Sequence, residues 1–330
     1  MIQNISDHLA GKRVLVTGAS GFLGFAVVRR LLSQQAIVTA LSRSLGRLSE
    51  IPGGGFEFAQ CDLSNARESV RTMAAFEPEI LIHFAAHPDA RESFSHAEKC
   101  IQANTLTTLN ALEAFRLSSG KLFIYGDSCK VYGNCDMPYC EALPAQPISA
   151  YAIAKSAGWQ LCELYSRIHE LQTVSIRPTM IYGPRQSFNL ISFVVDSVLD
   201  GKSEIVLDGG SQTRDPLYVD DAVAAFLSAA VLGPDLSGRV VNIGGGNERS
   251  VIEITELVLE VMDADLKVVE APGRTRPTEM KRSYCDNKES LRMLGWEPRV
   301  SLREGLTRTI QYLVESRSRT LHLSSQAAGA

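Results

Sequence analysis

The chain has no sustained run of lysine and arginine, and its net charge is −4 over 330 residues, so it offers no surface to nucleic acid or to an anionic membrane. No apolar run is long enough to cross a bilayer. The longest lies around 222–232, about half of the roughly 20 residues that a spanning helix needs. Residues 1–10 mix charge and polarity without the apolar core of a secretory signal, which predicts a cytoplasmic protein. The seven cysteines are an odd number with no CxxC pair and no Cys/His cluster, which argues against a disulfide framework or a zinc site. Cys135 and Cys140 come nearest to metal-ligand spacing, but they have no partner ligands, and no metal site is expected. There is no internal repeat and no low-complexity block. What remains is an ordinary globular balance, 45% hydrophobic and 21% charged, in a chain long enough for one large or two moderate domains. The expected partner is a small molecule.

Residues 12–17 (KRVLVT) read as a buried strand, followed at once by Gly18-Ala-Ser20-Gly21-Phe22-Leu23-Gly24 and a helical apolar pattern through residue 32. Glycines at these spacings let a strand-to-helix turn close tightly and bring backbone amides against a pyrophosphate. Gly18, Ser20, Gly21, Phe22, Leu23 and Gly24 are therefore candidate dinucleotide contacts. The second strand, 37–41, ends in Ser42-Arg43-Ser44, where an NAD site usually presents a carboxylate to the ribose hydroxyl. An arginine attracts a 2′-phosphate, so the reading is NAD(P) with a lean to NADP. A third strand ends at Asp62-Leu63, suited to an adenine edge. A fourth, 80–85, leads through Phe84 to Ala85-Ala86, whose small side chains let a cofactor lie close. A fifth spans 121–125 and a sixth 173–177. Strands alternating with helical stretches predict an α/β fold: a Rossmann-type, doubly wound parallel sheet with a smaller C-terminal α/β part. The expected division is 1–178 plus about 215–245 for the dinucleotide, about 179–214 and 246–315 for the substrate, and a frayed, flexible tail at 316–330.

A helix is predicted from Ala150 to about His169, with Tyr151 and Lys155 four apart on one face. The ammonium is expected to lower the phenol's pKa towards neutrality and make Tyr151 a general acid/base. Ser128, placed by a different strand, is expected to hydrogen-bond the same substrate oxygen.

Seven motifs then occur in order: Thr17-Gly-x-x-Gly21-x-x-Gly24, His83-Phe-Ala-Ala86, Ser128-x-x-Val131-Tyr-Gly133, Tyr151-x-x-x-Lys155, Arg177-Pro-x-x-Ile-Tyr-Gly-Pro184, Arg214-Asp-x-x-Tyr-Val-Asp-Asp221 and Arg276-Pro-x-Glu279. Over residues 12 to about 314 the chain resembles the extended short-chain dehydrogenase/reductases, in particular their nucleotide-sugar epimerase and dehydratase branch. The resemblance implies a catalytic trio of Ser128, Tyr151 and Lys155, with Lys155 also on the nicotinamide ribose. It adds Asn104 to the cofactor residues and implies that Arg214, Tyr218, Arg276 and Glu279 bind a nucleotide sugar. It also implies a homodimer, through a pairing of the two long apolar helices at 96–117 and 150–169.

Two positions depart from the family pattern. Met180 stands where relatives carry a substrate-binding Asn. Cys129-Lys130 follows Ser128 where 4,6-dehydratases carry Asp-Glu. A thiol beside an ammonium is expected to ionise more readily, which makes Cys129 and Lys130 candidate acid/base groups. The implied reaction is oxidation at C4 of an NDP-hexose, of epimerase or dehydratase type. An NADPH-dependent 4-keto-sugar reductase and a non-catalytic dinucleotide-binding regulator are the alternatives.

Overall fold

The computed structural model describes residues 8–87, 93–118, 120–186, 189–271 and 278–328. Six strands come first: β1 (Arg13–Thr17), β2 (Ile37–Ser42), β3 (Phe56–Gln60), β4 (Ile80–His83), β5 (Leu122–Gly126) and β6 (Gln172–Pro178). Short strands β7 (Met180–Tyr182), β8 (Glu204–Leu207), β9 (Thr213–Arg214) and β10 (Pro216–Tyr218) follow, then β11 (Arg239–Ile243), β12 (Arg249–Ser250) and β13 (Lys267–Glu270). Seven of them form one parallel sheet in the order β11-β6-β5-β4-β1-β2-β3. Strand order reverses between β1 and β4, so the carboxyl ends there open a crevice, the usual ligand position of such sheets.

Runs such as Val14-Leu15-Val16 and Leu122-Phe123-Ile124 are buried throughout, as a sheet covered on both faces requires. Alternation divides them. Val14, Val16, Ile124 and Ile176 join a core with Phe226, Ile254 and Leu306, whereas Leu15, Leu81, Phe123 and Tyr125 pack with Phe115 and Cys162 on the other side. The first face is covered by α1 (Phe22–Ser33). On the opposite face lie α2 (Ala66–Phe76), the pair α3 (Phe94–Cys100) and α4 (Thr107–Leu117), and α5 (Ala150–His169). Next come α6 (Leu190–Leu199), α7 (Val219–Leu232), α8 (Val251–Val261), α9 (Lys288–Leu294) and α10 (Leu302–Ala328). In the C-terminal part β8 pairs with β13, flanked by α6 and α8. Among the described residues, no helix is long and apolar enough to cross a membrane, and no three His, Cys, Asp or Glu side chains cluster as a metal site.

Two expectations change. The helix predicted from residue 96 begins at Phe94 and widens over Ile101–Leu106 into a π turn before continuing as α4. The expected tail is instead helical through Ala328. Residues 316–328 contain no glycine or proline to stop a helix. Arg317 also anchors this stretch, donating to Asp200 at 2.5 Å and lying 3.7 Å from Asp196.

Candidate active site

Helix α5 begins where Ser149 caps it, its hydroxyl accepting the Ala152 amide at 3.2 Å. That cap puts Tyr151 in the first turn and Lys155 one turn on. Ser128 caps the short 3-10 turn Cys129–Tyr132, reached directly from β5. The two converge: Ser128 is the side chain that opposes the rise in the Tyr151 pKa. Lys155 Nζ lies behind them, 5.9 Å from the Tyr151 ring centre and donating to the Gly126 carbonyl at 2.7 Å. Lys130 Nζ approaches the same ring from the cleft side at 5.6 Å.

The phenol is not shifted as expected. Burial raises the Tyr151 pKa, the Asp127 carboxylate adds to the rise, and the nearby Ser128 side chain only partly opposes it. Lys155 moves the other way. Burial lowers its pKa to about 8, with Asp127 resisting the fall. Desolvation therefore outweighs the attraction between ammonium and phenolate that the four-residue spacing suggests.

Two buried networks that the motifs do not reveal hold this trio. Asp127 accepts the Ser128 amide at 2.8 Å, the Ser175 hydroxyl at 3.0 Å and Arg177 Nε at 2.6 Å. Arg177 then donates to the Tyr132 hydroxyl, which donates to Asn242. The side chains of this ion pair are 0% and 5% exposed, and removing one member of such a pair typically costs about 3–5 kcal/mol. The second network starts at Thr17, whose hydroxyl accepts the Phe84 and Ala85 amides at 3.1 Å each and meets His83 Nδ1 at 2.9 Å. On the far side of the ring, Nε2 meets the Thr108 hydroxyl at 3.1 Å, and that hydroxyl donates to the Asn104 carbonyl. Since Thr108 has spent its hydrogen there, His83 carries its proton on Nε2. Burial, then the Lys155 charge, lowers the His83 pKa to about 3 and keeps the ring neutral.

The cleft beside the trio has a volume of about 370 Å³, and Ser128, Lys130, Ser149, Asn189, Arg214 and Glu279 are among its lining residues. Met180 lines it too. Arg214 and Glu279 are paired with each other by a side-chain hydrogen bond, and Arg214 also donates to the Thr213 and Met280 carbonyls. They form one unit instead of two independent grips. Arg276 lies outside the described residues. Tyr218 does not reach the cleft: it is 4% exposed, edge-on to Tyr182 at 5.6 Å and beneath Arg308. Its place on β10 turns the ring into the core against α10. Cys129 is also corrected. It is 1% exposed, its thiol donates to the Arg177 carbonyl at 3.1 Å and contacts Cys285, and it packs with Val131, Tyr132 and Tyr139. It lines the cleft wall beside Lys130, but its thiol is turned into this apolar cluster and bonded to the Arg177 carbonyl, which opposes joint acid/base work with Lys130.

The residues at the sheet's switch point fit a dinucleotide. Gly18 has φ +62°, and a Cβ there would lie 2.8 Å from the Ala85 amide nitrogen; one at Gly24 would lie 2.3 Å from the Gly18 carbonyl oxygen. The turn thus requires both glycines. Gly21 caps α1 without a side chain, so the first-turn amides of Phe22, Leu23 and Gly24 stay available to an anion, with Ser20 beside them. Arg43 follows Ser42, whose hydroxyl is tied to the Ser44 carbonyl at 2.6 Å. Asp62 is held ionised by hydrogen bonds from Ser64, with Arg43 assisting. Leu63 and Phe84 point inward, Leu63 into the core and Phe84 edge-on to Phe226, so they can offer only backbone. Ala85 and Ala86 follow Phe84 at the mouth of the crevice. Asn104 is 1% exposed and grips both backbone groups of His87, accepting from its amide at 2.6 Å and donating to its carbonyl at 3.2 Å. It shapes the loop after β4.

One signal could have found the Asp127–Arg177 pair. Two opposite charges end apolar runs on adjacent strands, with Gly126 opposite Ile176 in register.

Residues 14–244 match the NAD dependent epimerase/dehydratase family. UDP-glucose 4-epimerase of Mycolicibacterium smegmatis is 32% identical over 311 residues, covering 91% of this chain and 98% of that protein. dTDP-glucose 4,6-dehydratase of Neisseria meningitidis is 28% identical over 338 residues, covering 93% and 94%. Among solved structures, UDP-glucose 4-epimerase of Thermotoga maritima with UDP-glucose superposes with a TM-score of 0.86 at 29% identity, covering 92% and 99%. UDP-glucuronic acid 4-epimerase of Bacillus cereus, in complex with UDP-glucuronic acid and NAD, gives 0.85 at 26% identity with the same coverage. With its switch-point glycine turn and its converging serine, tyrosine and lysine, the chain belongs to the NAD-dependent epimerase/dehydratase family of extended short-chain dehydrogenase/reductases.

Proposed function

We propose that the chain is a nucleotide-sugar 4-epimerase: it oxidises C4 of an NDP-hexose and reduces it again from the opposite face of the sugar. The observation that carries this reading is the convergence of Ser128, Tyr151 and Lys155 beside the cleft. Tyr151 takes the proton of the C4 hydroxyl and later returns one, while Ser128 holds that oxygen in line. A nicotinamide dinucleotide held at the turn of Gly18, Gly21 and Gly24 would supply the hydride acceptor and donor. Lys155 and Lys130 place positive charge on two sides of the phenol, where it stabilises negative charge that develops on the oxygen during proton transfer. A 4,6-dehydratase needs an acid and a base just after the serine. Here Cys129 faces the interior and Lys130 brings a cation, which supports epimerisation over dehydration.

Arg214 and Glu279 support binding of the nucleotide diphosphate and ribose: the arginine can exchange part of its bonding for phosphate oxygens while the carboxylate accepts ribose hydroxyls. At the other end, β2 closes in Ser42-Arg43 without a carboxylate, which supports NADP as an accepted cofactor beside NAD. Exposed apolar residues on the two helices, Ile101, Leu106, Leu117, Ile153, Leu164 and Ile168, support a homodimer that buries this face. All seven cysteines are free thiols, which supports a reducing, cytoplasmic compartment.

The test is a screen of UDP-, dTDP-, GDP- and CDP-hexoses by mass spectrometry and sugar NMR. An unchanged mass with a C4-inverted product and no lasting absorbance change at about 340 nm is expected. Loss of water marks a dehydratase and gain of two hydrogens a reductase, and either result overturns the proposal. Tyr151→Phe is expected to abolish turnover while keeping cofactor binding, which also separates an enzyme from a dinucleotide-binding regulator.

A further inference from the structure

Among the described residues, Asp127 is the buried carboxylate that touches Ser128, and nothing in the motifs gives it a task. It accepts three hydrogen bonds, from the Ser128 amide, Ser175 and Arg177, at 2.8, 3.0 and 2.6 Å, and its side chain is fully enclosed. We propose that Asp127 is the positioning residue of the catalytic trio: its carboxylate pins the Ser128 turn to β6 and places a negative charge at the strand end to which the buried Lys155 is bonded. The proposal rests on the trio reading above.

Every group facing this charge can be placed. Arg177 from β6 and Tyr132 from the 3-10 turn lie on one side. Tyr125 from β5, Lys155 and Cys162 from α5, and His83 from β4 lie behind, with Cys100 from α3 nearer Tyr151. Lys130 stands over Tyr151 on the cleft side. Tyr125 and Cys162 are held neutral by burial and His83 is a neutral ring, so the fixed charges of the cluster are Asp127, Arg177 and the two lysines. Lys155 makes its backbone bond to Gly126, the residue next to Asp127, which brings the ammonium beside the carboxylate's strand end. Asp127 is the largest influence opposing desolvation of Lys155. The arrangement does two things at once. It orients the serine through the backbone amide and keeps the lysine protonated at neutral pH.

The experiment titrates Lys155 by side-chain NMR of lysine-labelled protein, its signal assigned by loss in Lys155→Met, alongside the pH profile of kcat/KM. In Asp127→Asn, which keeps an acceptor for the Ser128 amide but not the charge, Lys155 is expected to titrate at least about one pH unit lower, a roughly tenfold loss of proton affinity. The alkaline fall of kcat/KM should move down with it. Asp127→Glu, which keeps the charge, should leave the titration near that of the wild type. If Asp127→Asn does not fold because Arg177 is left unpaired, Asp127→Asn/Arg177→Gln is measured instead, with a smaller shift in the same direction expected. A folded variant whose Lys155 titration stays in place, even if less stable or less active, overturns the proposal, as does a shift in Asp127→Glu equal to that in Asp127→Asn. The titration needs no substrate, so its failure is distinct from failure of the epimerase reading, which the Tyr151→Phe assay judges.

Discussion

Gly158 lies one turn beyond Lys155 on α5, directly over Tyr125, and Gly158→Ala tests how tightly that helix is seated. An added Cβ would lie 2.2 Å from the Tyr125 hydroxyl oxygen and 2.7 Å from Cζ, well short of ordinary contact, which begins at 3.4 Å. Tyr125 cannot yield. It is 0% exposed, its ring lies near-parallel to His83 at 6.1 Å and 18°, and its hydroxyl donates to the Lys155 carbonyl at 3.2 Å. The helix must move instead. Replacing a mid-helix glycine by alanine would otherwise stabilise by about 0.5–1 kcal/mol, whereas overpacking a closed core costs about 1–3 kcal/mol. The net expectation is a loss of about 1–2 kcal/mol, read as a lower urea midpoint at unchanged slope. Because the displaced turn carries Lys155, kcat should fall more than KM rises. Tyr125→Phe removes the nearest clashing atom, so the double variant should be more stable than additivity predicts, with a coupling of about 0.5 kcal/mol or more. A Gly158→Ala protein that unfolds at the same or a higher urea concentration refutes the packing argument.

Three further outcomes are expected. His83 has a folded pKa near 3, below the roughly 6.5 of an unfolded histidine, so the unfolded chain takes the proton first. Its stabilisation is therefore complete above about pH 6.5 and is lost towards pH 3, on the order of 5 kcal/mol in all. Urea titrations from pH 7 to 4 should show the gap between wild type and His83→Gln narrowing by about 1.4 kcal/mol per unit. Cys129→Ser and Lys130→Met should separate in steady-state kinetics: the inward thiol can be replaced at little cost to turnover, whereas losing the cleft ammonium should lower kcat at least about tenfold, within the usual range for proton-transfer groups. Arg214→Met should raise KM for the nucleotide sugar by about 10- to 100-fold, the worth of a charged hydrogen bond, and leave dinucleotide affinity measured by calorimetry unchanged.

What was legible in the chain was whatever depends on neighbours in sequence. Helix α5 begins at Ala150 and ends at His169 as periodicity predicts, because Ser149 caps it and its apolar stripe is unbroken. The glycine turn and the six strands before it and after it were likewise open to reading, since a strand buried on both faces writes itself as a short apolar run. The π turn around Asn104 was not, because it goes with a contact 17 residues away to the His87 backbone, and the Thr107 and Thr108 hydroxyls satisfy carbonyls inside it. Tyr218 sits inside a motif yet serves the core, since the alternation of a three-residue strand cannot be phased from sequence. The fall of the Tyr151 pKa was expected from a spacing that reports one nearby charge and no burial. Desolvation, which decides the sign here, is a property of the packed molecule.

The turn after β5 shows why the same motif can serve different reactions. Its residues alternate in exposure: Asp127 and Cys129 are 4% and 1% exposed, while Ser128 and the exposed Lys130 open further towards the cleft, whose wall Cys129 shares. The enclosed positions answer to packing and to the Arg177 charge, so they tolerate only what those neighbours tolerate. Of the cleft positions, 128 is held by its amide bond to Asp127 and by its cap of the Lys130 amide, whereas the exposed side chain of 130 is the one placed to change with the reaction. Position 129 lies at the cleft wall, but the bond from the Cys129 thiol to the Arg177 carbonyl opposes a part in the chemistry. A change of activity by substitution should therefore begin at Lys130, with a carboxylate there as the first variant to assay for loss of water from an NDP-hexose.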